Sequence, residues 1–136
     1  MHSFPDNCFY RVSVKALIKN TEGKIMLLKE PDDTWDLPGW GRENGETAFK
    51  ALERELDEEI GVKLISSSPL PVMMRSCINS KGIWRLLLVF EVVVDTFDVK
   101  LAGWYEAVAM EFFSKEEIEA GVAKLHPICL GLKGFL

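Results

Sequence analysis

The segment from Thr47 to Gly61 constrains this chain more than any other, because it reads as an amphipathic helix with both ends marked. Thr47 suits the N-cap, and Gly61 stands where the helix must stop. Advancing 100° per residue puts Phe49, Leu52, Leu56 and Ile60 on one arc, the stripe to be buried. Glu55, Glu58 and Glu59 share an adjoining arc of roughly 100°, with Ala48 and Ala51 on their side and Lys50, Glu53 and Asp57 facing away. Like charges three and four residues apart repel by a few tenths of a kcal/mol per pair. Placed beside a buried stripe, the three glutamates need compensation, which a divalent cation supplies because carboxylate oxygens are hard ligands. A plainly solvated acidic face is the alternative that spacing alone leaves open.

The rest of the chain supplies a sheet for that stripe. Residues 10–18 alternate between apolar and polar with one interruption at Leu17, the pattern of a half-buried strand. A turn at Asn20–Gly23 leads to a strand at Lys24–Lys29, so these two are expected to form a hairpin. Pro31–Gly45 and Ser66–Pro69 read as loops, and Val72–Met74 is apolar. Asn79–Gly82 turns the chain into a long strand over Ile83–Val94, and Ala107–Phe113 reads as a further strand. Ser114 and Glu117 have capping-box spacing and start a helix over Lys115–Ala120, and Pro127–Leu136 is a short third helix. Strands and helices interleave without a βαβ rhythm, which predicts an α/β (α+β) fold: a mixed sheet flanked by helices. At 136 residues, the expectation is one domain over 1–136.

Charge narrows the partners. The formal net charge is −5, which argues against a nucleic-acid binder. Seven of the 21 acidic residues crowd into the 17 positions from Glu43 to Glu59, where they can gather cations. The longest apolar run, Leu86–Phe90 extended by Val92–Val94, is interrupted by Glu91 and too short to span a bilayer. Met1–Asp6 has no basic stretch leading into an apolar one, and Cys8, Cys77 and Cys129 suit neither a disulfide framework nor a zinc pair. The expectation is a cytoplasmic protein with reduced thiols and no membrane partner.

Glu46, seven residues, then Arg54-Glu55-Leu56-Asp57-Glu58-Glu59-Ile60-Gly61-Val62 resembles the signature of the Nudix hydrolases, the MutT-like pyrophosphohydrolases, at eight of nine specified positions. Trp35-Asp36-Leu37-Pro38-Gly39 resembles the lead-in to that signature, and Glu43-Asn44-Gly45-Glu46 its loop. The departure is Trp40, which stands where the signature has glycine, with Gly41 a candidate to take over that role.

The resemblance implies a Nudix-type α/β/α sandwich with a loop–helix–loop motif over residues 40–62. It implies water attack on a phosphorus of a nucleoside diphosphate linked to another group X, with Mg²⁺ (Mn²⁺ as a substitute) held by Glu55, Glu58 and Glu59. Glu58, Glu55, Arg54 and Glu106 would be the catalytic residues, with Glu111 a rival to Glu106 as an acid outside the motif. Gly39, Trp40, Gly41 and Glu46 would form the substrate loop. Trp35 and Trp84 are further stacking candidates, and Arg11, Lys29, Arg75 and Arg85 are candidates for phosphate contacts. The implied partner is a small-molecule nucleotide derivative, with homodimerisation common in the family. A catalytically silent domain that senses a nucleotide or ADP-ribose is the competing reading, for which Trp40 speaks. A cation-binding interaction domain without a nucleotide is a third.

Overall fold

The computed structural model describes residues 9–41, 43, 45–102 and 107–136. Chain order is β1 (Tyr10–Ile18), β2 (Ile25–Lys29), β3 (Trp35–Asp36), α1 (Ala48–Ile60), β4 (Leu64–Ser67), β5 (Met73–Ile78), β6 (Trp84–Val94), β7 (Ala109–Phe113), α2 (Lys115–Ala120) and a 3₁₀ turn at Pro127–Leu132. Long β6 organises one sheet: it runs parallel to β1 from Tyr10–Trp84 to Ile18–Val92 and takes β5 and β4 in succession as antiparallel partners. β2 lies between β3 and β7 in a second, antiparallel sheet.

Two buried clusters show the layering. On one side, Ala51, Leu52, Leu56 and Ile60 of α1 pack on Val14, Ala16 and Ile18 of β1, Met26 and Leu28 of β2, and Phe90 and Val92 of β6. On the other, Leu17, Leu27, Leu87 and Val89 meet Ile118 of α2 and Leu125, Cys129 and Leu132 of the tail. Alternate residues of the same strands feed both clusters, so the expected sandwich of a β layer between helical layers is present.

The covering of both faces overturns one expectation. β1 is not half-buried, since every residue from Ser13 to Ile18 is buried, the polar Ser13 and Lys15 included. The hairpin is also not formed: β1 and β2 meet at a single bridge, Lys19–Ile25, and then diverge into different sheets. Leu64–Ser67, partly within the serine run read as a loop, is an edge strand with an irregular register. Both helices begin where their caps predict. The Thr47 side chain accepts from the Lys50 N–H, and Ser114 and Glu117 complete a reciprocal capping box.

Candidate active site

Helix α1 carries its buried stripe into the β layer and thereby presents the adjoining arc to a cleft. Phe49 does not belong to the stripe; it is exposed, while Ala51, counted on the carboxylate side, is fully buried. Glu55, Glu58 and Glu59 line a cleft of about 310 Å³ together with Glu30, Gly39, Trp40 and Ala107. A larger open groove along the other flank of α1 reaches Glu46 and Arg54 but none of these three glutamates. The three glutamates therefore share the smaller cleft.

Arg54 organises the acids. Its Nε and Nη2 donate to Glu46 Oε2 and Oε1 at 2.9 and 3.0 Å, a two-pronged pairing that uses the planar guanidinium fully. Nη1 donates to Glu55 Oε1 at 2.9 Å and to Glu58 Oε2 at 3.4 Å, while Nη2 also reaches the Gly41 carbonyl at 3.4 Å. Glu46 Oε1 in turn accepts the Glu43 N–H at 2.7 Å, which ties the loop to the helix. These bonds, led by those to Glu46, hold the guanidinium above its already high pKa.

Glu59 lies deepest. Burial pushes its carboxyl up to about 8; Lys15 and the Gly39 N–H hold it back, and the charges of Glu55 and Asp36 add to the push. The Gly39 N–H donates to Glu59 Oε2 at 3.4 Å. Among the described residues, no three acid, histidine or cysteine side chains converge as a ready metal cage; Glu55 and Glu58 turn to Arg54 instead.

The two glycines beside Trp40 differ in their surroundings. Gly39 has φ +116°, and a Cβ there would overlap the Val14 carbonyl oxygen and come within 3.0 Å of Lys15 Cα. Among the described residues, no atom lies within 4 Å of a Cβ position at Gly41, and its φ is not positive. Of the two glycines that flank Trp40, Gly39 is therefore the one whose backbone conformation and packing require the missing side chain. Trp40 itself is half exposed, its ring set over Lys15 Nζ at 5.1 Å and Arg85 Cζ at 5.3 Å. It also lines a second cleft of about 250 Å³ with Glu30, Pro31, Asp32, Asp36 and His126.

Other candidates are dispersed. Glu106 lies outside the described residues, as do His2 and Cys8. Glu111 is exposed on β7 opposite Leu27 and does not line the carboxylate cleft. Trp35 packs edge-on against Phe113 at 4.9 Å, and Trp84 pairs with Tyr10 at 6.2 Å. Arg75 abuts Gly131, and its buried Nη1 has no hydrogen-bond partner among the described residues. The residues that the sequence did not single out are Glu30, which enters the cleft from the end of β2, and the buried set Lys15, Asp36 and Cys129. Asp36 stands between Trp35 and Leu37, whereas Lys15 occupies a polar place in the alternation of β1 and carries no signal of its burial.

A model of the NUDIX domain family matches residues 9–128. The nucleoside triphosphatase NudI of Salmonella paratyphi B is 32% identical over an alignment of 143 positions, covering 93% of this chain and 98% of that protein. An RNA pyrophosphohydrolase of Ruthia magnifica is 34% identical over 96 positions, 57% of this chain and 54% of that protein. Among solved structures, the MutT protein from Methanosarcina mazei Go1 superposes with a TM-score of 0.78 at 25% identity, covering 93% of this chain and 92% of that one.

Proposed function

The chain belongs to the NUDIX domain family of pyrophosphohydrolases, and from that premise we propose that it hydrolyses a nucleoside triphosphate or small nucleoside diphosphate derivative in a divalent-metal-dependent reaction. The products are a nucleotide and either pyrophosphate or phosphorylated X. The observation that carries this reading is that Glu55, Glu58 and Glu59 line one cleft together with Gly39 and Trp40. Their donor set, three carboxylates on one helix flank, fits Mg²⁺ or Mn²⁺. A cation held by Glu55, Glu58 and Glu59 would polarise a phosphoryl oxygen and lower the pKa of the attacking water.

The protein's own groups then divide the work. Arg54 fixes Glu46, Glu55 and Glu58 relative to one another, and a carboxylate of this set, Glu58 or Glu55, takes the proton from water. Glu106 is retained as a candidate base from outside the motif. Gly39, Gly41 and Glu46 shape the loop against which the phosphates lie, and the Trp40 ring offers a face for the base.

A nucleoside triphosphate is favoured because the likeness to NudI runs through nearly the whole chain, whereas the likeness to the RNA pyrophosphohydrolase covers about half of it. The net charge of −5 supports a small ligand over nucleic acid. No described helix is long and apolar enough to cross a membrane, and Cys77 and Cys129 are free thiols, in keeping with a cytoplasmic setting for a single domain acting alone or as a homodimer. Trp40 at the signature's glycine position favours a second reading, a silent nucleotide or ADP-ribose sensor.

One experiment separates the two. The protein is incubated with nucleoside triphosphates, dinucleotides, ADP-ribose, nucleotide sugars and a 5′-triphosphorylated RNA, with Mg²⁺ and with EDTA, and products are resolved by chromatography. Turnover of nucleotides only with Mg²⁺ is the expected result. Nucleotide-induced thermal stabilisation without any turnover would replace the enzyme with the sensor.

A further inference from the structure

We propose that Lys15 is a positioning residue for this hydrolysis: it fixes Gly39 so that the Gly39 N–H faces Glu59 in the carboxylate cleft. The inference rests on the pyrophosphohydrolase reading above and adds a residue from outside the motif, on the far face of β1 from α1. Val14 and Ala16 belong to the α1 cluster, whereas Lys15 points with Leu17 towards the other layer.

An ammonium has three N–H donors, and Lys15 uses all of them on one short segment. Nζ donates to the Gly39 carbonyl at 2.6 Å, to the Leu37 carbonyl at 3.2 Å and to Asp36 Oδ2 at 3.0 Å. The other oxygen of Asp36 accepts the Cys129 S–H at 2.7 Å, so the anion is held from the tail as well. Backbone bonds complete the clamp: the Val14 N–H donates to the Trp40 carbonyl at 3.0 Å and the Ala16 N–H to the Pro38 carbonyl at 2.8 Å. Gly39 is thus pinned through its carbonyl on the Lys15 side while its N–H donates to Glu59 on the cleft side.

Stability alone does not account for this arrangement. Lys15 and Asp36 are both about fully buried, and desolvating two charges offsets much of what their attraction returns; a well-packed apolar pair in their place is often as stable. What an apolar pair does not provide is a set of donors that fixes the Leu37 and Gly39 carbonyls. The same ammonium lies beneath the Trp40 ring, so displacing it disturbs the aromatic face of the cleft as well.

The test compares wild type with Lys15→Met/Asp36→Leu, which removes both charges together, and with Lys15→Gln, which keeps two N–H donors. For the double variant, kcat falls about 10- to 100-fold while KM stays within about threefold, the signature of misplaced groups in the reacting complex. Its Gly39 amide exchanges with solvent about tenfold faster or more, read by NMR without substrate or metal. Lys15→Gln falls between wild type and the double variant in both readouts. Wild-type kcat in a folded double variant overturns the proposal, and so does unchanged Gly39 exchange in Lys15→Gln, the deciding measurement if the double variant does not fold. Losses of kcat that merely track the melting temperature across both variants also overturn it. Absence of turnover by wild type would remove the hydrolase reading instead, and the Gly39 exchange would still test whether Lys15 fixes the loop.

Discussion

Replacing Gly39 by alanine should damage this protein far more than the same change at Gly41, although the two glycines flank the same tryptophan. At Gly39 the backbone has φ +116°, a conformation that costs a residue with a Cβ about 1–3 kcal/mol. The new methyl would also overlap the Val14 carbonyl oxygen, which is fixed in a buried strand, and overpacking of this kind adds about 1–3 kcal/mol. The sum is a loss of about 2–6 kcal/mol. With an unfolding entropy of about 2.1 cal/mol/K per residue, each kcal/mol lowers the Tm of a chain this size by about 3.5 °C, so Gly39→Ala should melt about 7–20 °C below wild type. Gly41 has ordinary φ and open space, and Gly41→Ala should be neutral or stabilising by up to about 1 kcal/mol through the unfolded state. Urea and thermal unfolding followed by circular dichroism measure both. A Gly41→Ala variant at least as destabilised as Gly39→Ala would refute the reasoning.

Three further outcomes follow from the same contacts. The Cys129 thiol is pushed well above its ordinary value of 9.0 by burial and then by Asp36. Burial works to lower Lys15, but Asp36 and the other nearby anions outweigh it and hold the ammonium above 10.5. Both groups keep their protons when folded at a pH where the unfolded chain has lost them, so the stability they contribute is full below these values and is lost as pH rises. The urea midpoint should decline from about pH 9, and Cys129→Ala should delay the decline towards pH 10.5; an alkaline profile identical in Cys129→Ala would contradict this. Ser114→Ala, which breaks the capping box of α2, should cost about 0.5–2 kcal/mol, and an unchanged Tm would show that cap to be idle. Arg54→Lys keeps the charge but loses the two-pronged hold on Glu46; kcat should drop about tenfold or more, and full activity would reduce Arg54 to a plain counter-charge.

Features decided within a few residues were legible in the sequence. Thr47 and Gly61 bound α1, and Ser114 with Glu117 set the start of α2, because caps act on the nearest backbone groups. Partner choice was not legible. The Asn20–Lys24 turn does form, with the Asn20 N–H on the Lys24 carbonyl at 2.9 Å, yet β1 takes β6 and β2 takes β7, strands more than 60 residues away. Lys15 reads in the sequence as a solvent-facing alternate, because nothing local reveals that β1 is covered on both faces or that Asp36 pairs with it. Phe49 shares the angle of Leu52 and Leu56 but not their burial, which an ideal wheel does not distinguish. Within the site, helical period places Glu55, Glu58 and Glu59 on one arc, whereas Glu30 reaches the cleft from a separate strand end.

The central claim, that the carboxylates of α1 lining the cleft drive a metal-dependent hydrolysis, is tested most directly by comparing two isosteric changes on that helix. Glu58→Gln alters a cleft carboxylate, and Asp57→Asn removes a neighbouring charge that lies exposed on the same helix and outside the cleft. With saturating Mg²⁺ and the best nucleotide substrate, Glu58→Gln should lose about 10²- to 10⁴-fold in kcat while Asp57→Asn stays near wild type, both with nearly unchanged melting temperatures. Equal activity in Glu58→Gln and wild type, or equal losses in the two variants, would contradict the account.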